Sequence, residues 1–305
     1  MRKRLHFKTL ALVAALASAL GAKAIEAYAN YTSSDSTLTF YYDYQRSLRP
    51  GTTYDMNTGY NYPDWYSDGT NLNVTKVVFD PSFAGARPTS TIYWFFALFN
   101  LQSITGLEYL NTSEVTDMAW MFFYCSNLTS LDFSHFNTSK VNSMYNMLGY
   151  CQSLTSLDLS SFNTSQVISM SSMFDHCANL QTIYVGDGWN TAAVTISQDM
   201  FKDCTSLVGG QGTTYNASHI DKAYAHIDGG PSNPGYFTAA GATFLRGDVD
   251  GDGTVNIADV TALIDYLLSG NATGINLSAA DADEDGTVGI ADVTTIIDYL
   301  LSGHW

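Results

Sequence analysis

The stretch Asn137–Phe162, NTSKVNSMYNMLGYCQSLTSLDLSSF, is one of three closely related copies that follow one another at a spacing of 26 residues. The other two begin at Asn111 and Asn163, and a looser copy begins at Asn190. A fixed period of this length is typical of folds in which one short unit stacks on the next. The sequence therefore predicts a repeat region over residues 91–208.

Two periodicities alternate within each copy. In the copy that begins at Asn111, apolar residues first recur at the spacing of a helix face: Val115, Met118, Met121, Phe122 and Cys125. An L-x-x-L-x-F pattern at Leu128, Leu131 and Phe133 then predicts a short strand. Neither element can bury its apolar side alone, so stacking of the copies would build one continuous core.

The repeated sequence motif NTSxVxxM…MF…C…LTSLDLSSF resembles that of the BspA-like leucine-rich repeat surface proteins of bacteria, over roughly residues 74–215. The asparagine is displaced from the usual leucine-rich pattern, which has it at the ninth position. Counted with Leu128 as position one, Phe136 is ninth and Asn137 is tenth. The resemblance implies an α/β repeat solenoid and an adhesive role without enzymatic activity.

One cysteine and one asparagine recur in each copy. The cysteines are Cys125, Cys151, Cys177 and Cys204. Each closes an apolar face, which favours buried thiols over disulfides, and without a C-x-x-C pattern zinc is not expected. The asparagines are Asn111, Asn137, Asn163 and Asn190, several of them in N-x-S/T sequences. We expect their amides to satisfy backbone groups; N-glycosylation is the alternative.

The segments beside the repeats are predicted to cap the stack. Residues 25–90 contain strand-like, aromatic stretches and form the predicted β-rich N-terminal cap. Residues 209–238 form the predicted C-terminal cap, and residues 239–245 a linker. Four aromatic residues in the first segment are expected to pack within the cap, with sugar stacking as the alternative: Tyr60, Tyr62, Trp65 and Tyr66.

A second repeat lies near the end of the sequence. DVDGDGTVNIADVTALIDYLLSG, Asp248–Gly270, returns 33 residues later as DADEDGTVGIADVTTIIDYLLSG, Asp281–Gly303. Oxygen-bearing residues alternate along both stretches at the spacing of a calcium loop, with Gly253 and Gly286 at the sharp turns. The predicted ligands of two calcium ions are Asp248, Asp250, Asp252, Thr254, Asn256 and Asp259 in the first loop and Asp281, Asp283, Asp285, Thr287 and Asp292 in the second.

An amphipathic helix is predicted after each loop. Its inward apolar face consists of Val260, Leu263, Ile264, Leu267 and Leu268 after the first loop and of Val293, Ile296, Ile297, Leu300 and Leu301 after the second. The two apolar helix faces together could close a small all-α core. Two loop-then-helix units with Asp at the last loop position resemble a type I dockerin domain, over residues 246–305. The resemblance implies a cohesin-like partner module. The residues that we expect to contact it are Ile257, Ala258 and Tyr266 in one half and Ile290, Ala291 and Tyr299 in the other.

The first 24 residues have the pattern of a cleaved secretory signal peptide, with a basic start, an apolar run and the small-residue site Ala22-Lys23-Ala24. Without them the chain has 8 basic and 29 acidic residues, because the predicted signal carries five of the 13 basic residues and no acidic one. This excess of negative charge disfavours nucleic acid and anionic membranes as partners. No membrane span is predicted, and the expected location is outside the cell or on its surface.

The leading functional hypothesis is a secreted, non-catalytic assembly protein, in which the repeats recognise a protein or glycan and the dockerin-like module docks to a scaffold. The predicted ligand-binding face, for which a solvated surface without a ligand is the alternative, consists of the outward side chains of the repeat strands: Ser130, Asp132, Ser134, Ser156, Asp158, Ser160, Thr182 and Tyr184. The alternative is a dockerin-borne component or glycoside hydrolase of a polysaccharide-degrading complex. Asp132 and Asp158 recur as repeat positions, and neither is distinguished as a catalytic acid.

Overall fold

The computed structural model describes residues 24–241, 245–272, 274–285 and 287–305, and for Ser278 the backbone alone. The predicted signal peptide up to residue 23, residues 242–244 of the predicted linker and the predicted turn residue Gly286 lie outside the described part.

The N-terminal segment folds into a five-stranded mixed sheet with the strand order β3-β1-β2-β4-β5. Its strands are β1 (Glu26–Thr32), β2 (Thr37–Asp43), β3 (Thr52–Asp55), β4 (Lys76–Phe79) and β5 (Ser103–Thr105), and α1 (Asp64–Ser67) lies between β3 and β4. β1 pairs antiparallel with β2 and β3, whereas β4 pairs parallel with β2 and β5. Aromatic rings fill its core: Phe40 stacks on Phe79 at 4.7 Å and on Trp94 at 5.6 Å between ring centroids.

The predicted leucine-rich-repeat-like α/β solenoid is wrong. Residues 111–209 contain no helix, and the apolar segments with helical spacing are runs of consecutive turns. Only two repeat strands form, β6 (Ser156–Leu159) and β7 (Thr182–Val185), and these pair parallel with each other and with β8 (Phe237–Ala239) in a three-stranded sheet. Over the residues that the structure describes, the chain forms one mixed and one parallel sheet with few helices.

Left-handed backbone positions explain why the helices do not form. Each copy has two residues with φ between +53° and +63°, four positions apart, such as Trp120 and Tyr124 in the first copy and Asn146 and Tyr150 in the second. A non-glycine residue in this region interrupts a right-handed helix. A chain that turns every three residues places apolar side chains inward at nearly the spacing of a helix, so the sequence pattern does not separate the two structures.

Backbone hydrogen bonds join each copy to the next. The amide of Trp120 donates to the carbonyl of Tyr145 at 2.8 Å, and the amide of Phe122 donates to the carbonyl of Met147 at 2.9 Å. The amides between them close turns instead, as in the bond from Met121 to the carbonyl of Met118 at 3.3 Å. The N–H groups of residues 120–125 therefore donate alternately within the turn and to the neighbouring copy, so that each of them has an acceptor.

Side chains reinforce the same stacking. Thr112 Oγ1 accepts from the amide of Asn137 at 2.8 Å and donates to the Asn137 carbonyl at 3.1 Å, and Thr138 and Thr164 repeat this pair of bonds one and two copies later. The side-chain carboxamide of Asn137 forms a local hydrogen bond instead, because its Oδ1 accepts from the backbone N–H of Ser139 at 3.0 Å. Threonine, rather than asparagine, joins the copies at this corner.

The remaining elements are short apart from two helices near the end of the chain. These are α2 (Ile257–Ser269) and α4 (Ile290–Ser302), separated by α3 (Leu277–Ala280). The 3-10 helices are Arg46–Leu48, Thr70–Leu72, Pro81–Gly85, Leu107–Tyr109, Lys222–Tyr224 and Gly230–Ser232. Within the described ranges, no helix is both long enough and apolar enough to cross a membrane.

The four cysteines lie in the core as free, buried thiols. Each Sγ faces a backbone carbonyl of the preceding copy; for example, Cys151 Sγ lies 3.2 Å from the carbonyl oxygen of Phe122. Burial raises the pKa of these thiols, that of Cys177 to about 12. The reactive thiolate form is therefore suppressed at neutral pH.

We expect the folded chain to show no thiol that reacts with an aromatic disulfide reagent at pH 8, and four after unfolding in guanidinium. Ser156→Cys is the matched control, because Ser156 is exposed on β6 and its thiol would react at once. Absorbance of the released reagent counts the thiols. Two or no thiols after unfolding without reductant would reveal disulfides between copies and contradict the buried-thiol structure.

Candidate functional site: two acidic loops and their helices

The first acidic loop is organised by its own carboxylates. Asp248 is buried, and its Oδ2 accepts from the amide of Gly253 at 3.0 Å. Asp250 Oδ1 accepts from the amide of Asp252 at 3.2 Å, and Asp252 Oδ1 accepts from the amide and hydroxyl of Thr254 at 2.8 and 2.7 Å. Gly253, at φ +88°, occupies the backbone conformation that the turn requires.

The last acidic residue of the loop, Asp259, is completely buried and holds the loop closed. Its Oδ1 accepts from the amide of Asp250 at 3.1 Å, and its Oδ2 accepts from the amide of Asn256 at 2.7 Å. The Asn256 carboxamide oxygen caps α2 by accepting from the amide of Ala258 at 2.7 Å. Loop closure and helix initiation are therefore one hydrogen-bonded unit.

The second loop repeats this geometry. Asp292 is also fully buried, and it accepts from the amides of Asp283 at 3.0 Å and Gly289 at 2.7 Å. Asp285 Oδ1 accepts from the amide and hydroxyl of Thr287 at 2.8 and 2.6 Å. Gly289 stands where the first loop has Asn256, so no side chain caps α4.

Carboxylates converge in both loops. In the first loop Asp248, Asp250 and Asp259 each contribute one oxygen to a group in which all three lie within 4.8 Å of one another. In the second loop the group with this spacing is Asp281, Asp283 and Asp285, so Asp285 takes part there rather than Asp292, the counterpart of Asp259. Asp248 Oδ1 is buried and accepts no hydrogen bond from the described residues. Burial and the neighbouring carboxylates raise the pKa of Asp250. These features fit a hard cation, which would supply the missing positive partner.

The two helices pack against each other through one narrow stripe. Val260 and Leu263 on α2 and Val293 and Ile296 on α4 are buried with residues of the loops. The rest of the predicted inward face is at the surface: Leu268 and Leu301 are both 82 % exposed. A small core thus forms, and an apolar strip remains outside it on each helix.

The predicted partner-contacting residues lie on or beside these strips. Ile257 and Ile290 are 70 % and 72 % exposed, Ala258 and Ala291 are exposed, and Tyr266 and Tyr299 are half-buried. The exposed leucines extend the same surfaces but were not among the predicted contact residues. Helical periodicity assigned those leucines to the core.

An aromatic contact that the sequence does not signal joins the two ends of this region. Trp305 stacks on Tyr299 with ring centroids 4.1 Å apart, and the Arg246 guanidinium lies 4.7 Å from the Trp305 ring centroid. Gly247 makes room for this ring, because a Cβ there would lie 2.4 Å from it. Residues 59 positions apart are thereby held together.

The predicted ligand-binding face is outward in the structure. Ser156 and Asp158 are exposed and alternate with the buried Leu157 and Leu159 on β6. The remaining predicted face residues are exposed or half-buried: Ser130, Asp132, Ser134, Ser160, Thr182 and Tyr184. Of the four aromatic residues expected to pack in the cap, Trp65 is fully buried, Tyr66 is half-buried, and Tyr60 and Tyr62 are exposed.

Comparison with known families yields two matches. Residues 246–301 match the Dockerin type I domain, and residues 90–224 match a family described as Mycoplasma protein of unknown function, DUF285. No curated protein and no solved structure is a significant match to the chain. Type I dockerin domains bind calcium and dock to cohesin modules of scaffold complexes, and the proteins that carry them are typically extracellular. The chain thus carries a dockerin domain, and its 26-residue copies lie within the second match. Neither match describes a leucine-rich repeat, so that prediction is not confirmed.

Replacing Trp305 by alanine should destabilise the dockerin domain, because it removes a ring stack and a cation–π contact, together about 1–2 kcal/mol. Amides of α4 in the full chain with calcium should then exchange with deuterium about 5–30 times faster, as read by mass spectrometry. His304→Ala is the matched control, since the hydrogen bonds of His304 to Ser302 come from its backbone and the stack on Tyr299 is formed by Trp305. Equal exchange in both variants would contradict a stabilising role for Trp305.

Proposed function

We propose that the chain is a secreted, non-catalytic docking protein whose dockerin domain binds two calcium ions and a cohesin-like module, while the repeat region recognises a protein or glycan. The observation that carries the proposal is the duplicated loop geometry, in which each fully buried aspartate closes an acidic loop directly before an apolar-surfaced helix. Export by residues 1–24 and the domain boundaries given above are part of the proposal.

Each loop is proposed to bind one ion. In the first loop the ligands are carboxylate oxygens of Asp248, Asp250, Asp252 and Asp259, with Thr254 contributing at the following position and Asn256 capping the helix or contributing through water. In the second, the corresponding residues are Asp281, Asp283, Asp285, Thr287 and Asp292. The partnerless buried oxygen of Asp248 supports this assignment, since an unpaired buried carboxylate is costly without a counter-charge.

The partner surface is proposed to exist twice. The surface around Ile257, Ala258 and Tyr266 on α2 has an equivalent around Ile290, Ala291 and Tyr299 on α4, and both include exposed apolar side chains. Contiguous apolar surface beside polar loops is typical of protein-binding sites. Either half could therefore present the same contacts after a half-turn of the domain.

The repeat face supports recognition better than catalysis. Asp132 and Asp158 each accept from a backbone amide two residues on, Ser134 at 2.9 Å and Ser160 at 2.8 Å. The hydrogen bonds from Ser134 lower the pKa of Asp132, which opposes a role as a general acid. The glycosidase alternative would be revived only if purified protein released reducing sugar from plant or host glycans.

Calcium removal should unfold the dockerin domain within the full chain. Isothermal titration should show two ions per chain, and Asp259→Asn or Asp292→Asn should each remove one of them by neutralising the buried carboxylate that closes the loop. Asp265→Asn, on the outer face of α2, is the matched control and should keep both. Helical circular dichroism that is unchanged by chelator, or a single bound ion in the unaltered chain, would contradict the assignment.

Charging one partner surface should cost little affinity, whereas charging both should abolish binding. Ala258→Asp or Ala291→Asp alone should weaken capture of a cohesin module by about twofold, the statistical loss of one of two equivalent sites. The double variant should lose binding while still taking up two calcium ions. Surface plasmon resonance measures the affinities; complete loss in either single variant would show that one helix alone carries recognition.

A further inference from the structure

Residues at one equivalent position of the four copies contact one another in turn, and this position holds tyrosine in the first two copies but histidine in the third. Tyr124 and Tyr150 stack at 4.3 Å between ring centroids, and the next copy places His176 on Tyr150 at 4.3 Å with the rings 9° apart. The fourth copy continues the position with Asp203, also in the left-handed conformation. Backbone stacking thus places an imidazole from one copy against a carboxylate from the next.

Both nitrogens of this imidazole face carboxylate oxygens. His176 Nδ1 lies 2.6 Å from Oδ1 of Asp175, and Nε2 lies 3.1 Å from Oδ2 of Asp203. Asp175 is held in place because its backbone carbonyl accepts from the amide of Tyr150 at 2.7 Å, and only 13 % of its side chain is exposed. One ligand atom from each of the three residues lies within 4.8 Å of the others.

A neutral imidazole cannot satisfy both contacts. It carries one N–H, and the shorter contact assigns that proton to Nδ1, facing Asp175. The Nε2 lone pair then faces the lone pairs of the Asp203 carboxylate, and two acceptors at 3.1 Å repel each other. A cation between Nε2 and Asp203 removes the conflict, and it can be either a second proton on the ring or a metal ion.

The geometry is suitable for a metal ion. Two ligands bound at about 2.0–2.1 Å to a tetrahedral zinc ion lie about 3.3 Å apart, close to the Nε2–Oδ2 separation. A carboxylate that accepts from the other ring nitrogen is the usual outer partner of a metal-bound histidine. Asp175 has that position, and it would fix the tautomer that leaves Nε2 free to bind.

We propose that His176 Nε2 and Asp203 form a binding site for a divalent transition metal of the zinc class, oriented by Asp175, with water completing the coordination. The site joins the third copy to the fourth and is separate from the dockerin loops. An imidazole ligand favours zinc over calcium, whereas the all-oxygen loops favour calcium. This inference goes beyond the proposed function and does not depend on it.

The test is titration of zinc chloride into the full chain with its loops saturated by calcium. We expect one zinc ion per chain, with a matching visible spectrum when cobalt replaces zinc. His176→Tyr should abolish this binding and leave the far-ultraviolet circular dichroism unchanged, because tyrosine is the native residue at this position in the two preceding copies. His135→Tyr is the matched control, since His135 is exposed and its ring Nδ1 lies 2.9 Å from the hydroxyl of Ser134, away from His176.

Asp175→Asn separates a positioning role from a structural one. It should weaken zinc binding by about 10–100-fold without removing the site, because the outer partner orients the ligand rather than binding the metal. Failure of the unaltered chain to bind zinc, or binding that survives His176→Tyr, overturns the proposal. A His176 ring that titrates by nuclear magnetic resonance but does not respond to zinc would show that a proton alone bridges the pair.

Discussion

The repeat region depends on one constraint, the need of each backbone N–H group for an acceptor. Along residues 120–125 the donors alternate between a carbonyl three residues back and a carbonyl of the next copy. The alternation requires the chain to turn through left-handed positions, which cost about 1 kcal/mol or more for each non-glycine residue. That cost is tolerated because neighbouring copies fix the backbone and bury the methionine, phenylalanine and cysteine side chains between them.

Much of this arrangement follows from the sequence and some of it does not. The 26-residue period and the apolar positions, including the buried cysteines, can be found from composition and spacing alone. The choice between helix and turn cannot, because Met118, Met121 and Phe122 point inward in either structure. The left-handed residues include tryptophan and tyrosine, which carry no sequence signal for that backbone conformation, unlike glycine or asparagine.

In the dockerin domain, too, features that depend on neighbouring residues could be predicted from the sequence, whereas features that depend on distant residues could not. Its loops and the starts of α2 and α4 are predictable because ligand spacing and helix initiation involve neighbouring residues. The extent of its core is not, because a sixty-residue module has too little interior to bury both helix faces. Helical spacing therefore assigned Leu268 and Leu301 to a core that the domain lacks. Trp305 was missed for a related reason: its partner Arg246 is distant in sequence, and neither residue belongs to a periodic pattern.

The bonds between copies have a consequence for the length of the protein. Each copy offers its neighbour the same donors and accepts through the same carbonyls, so removal or insertion of one whole unit would join surfaces that already match. Copy number can therefore vary without new chemistry at the junctions. The exposed face of the repeat region would lengthen by about 4.8 Å with each added copy, the usual separation of hydrogen-bonded strands. The length of this face therefore depends on the number of copies and requires no change in the sequence of any one copy.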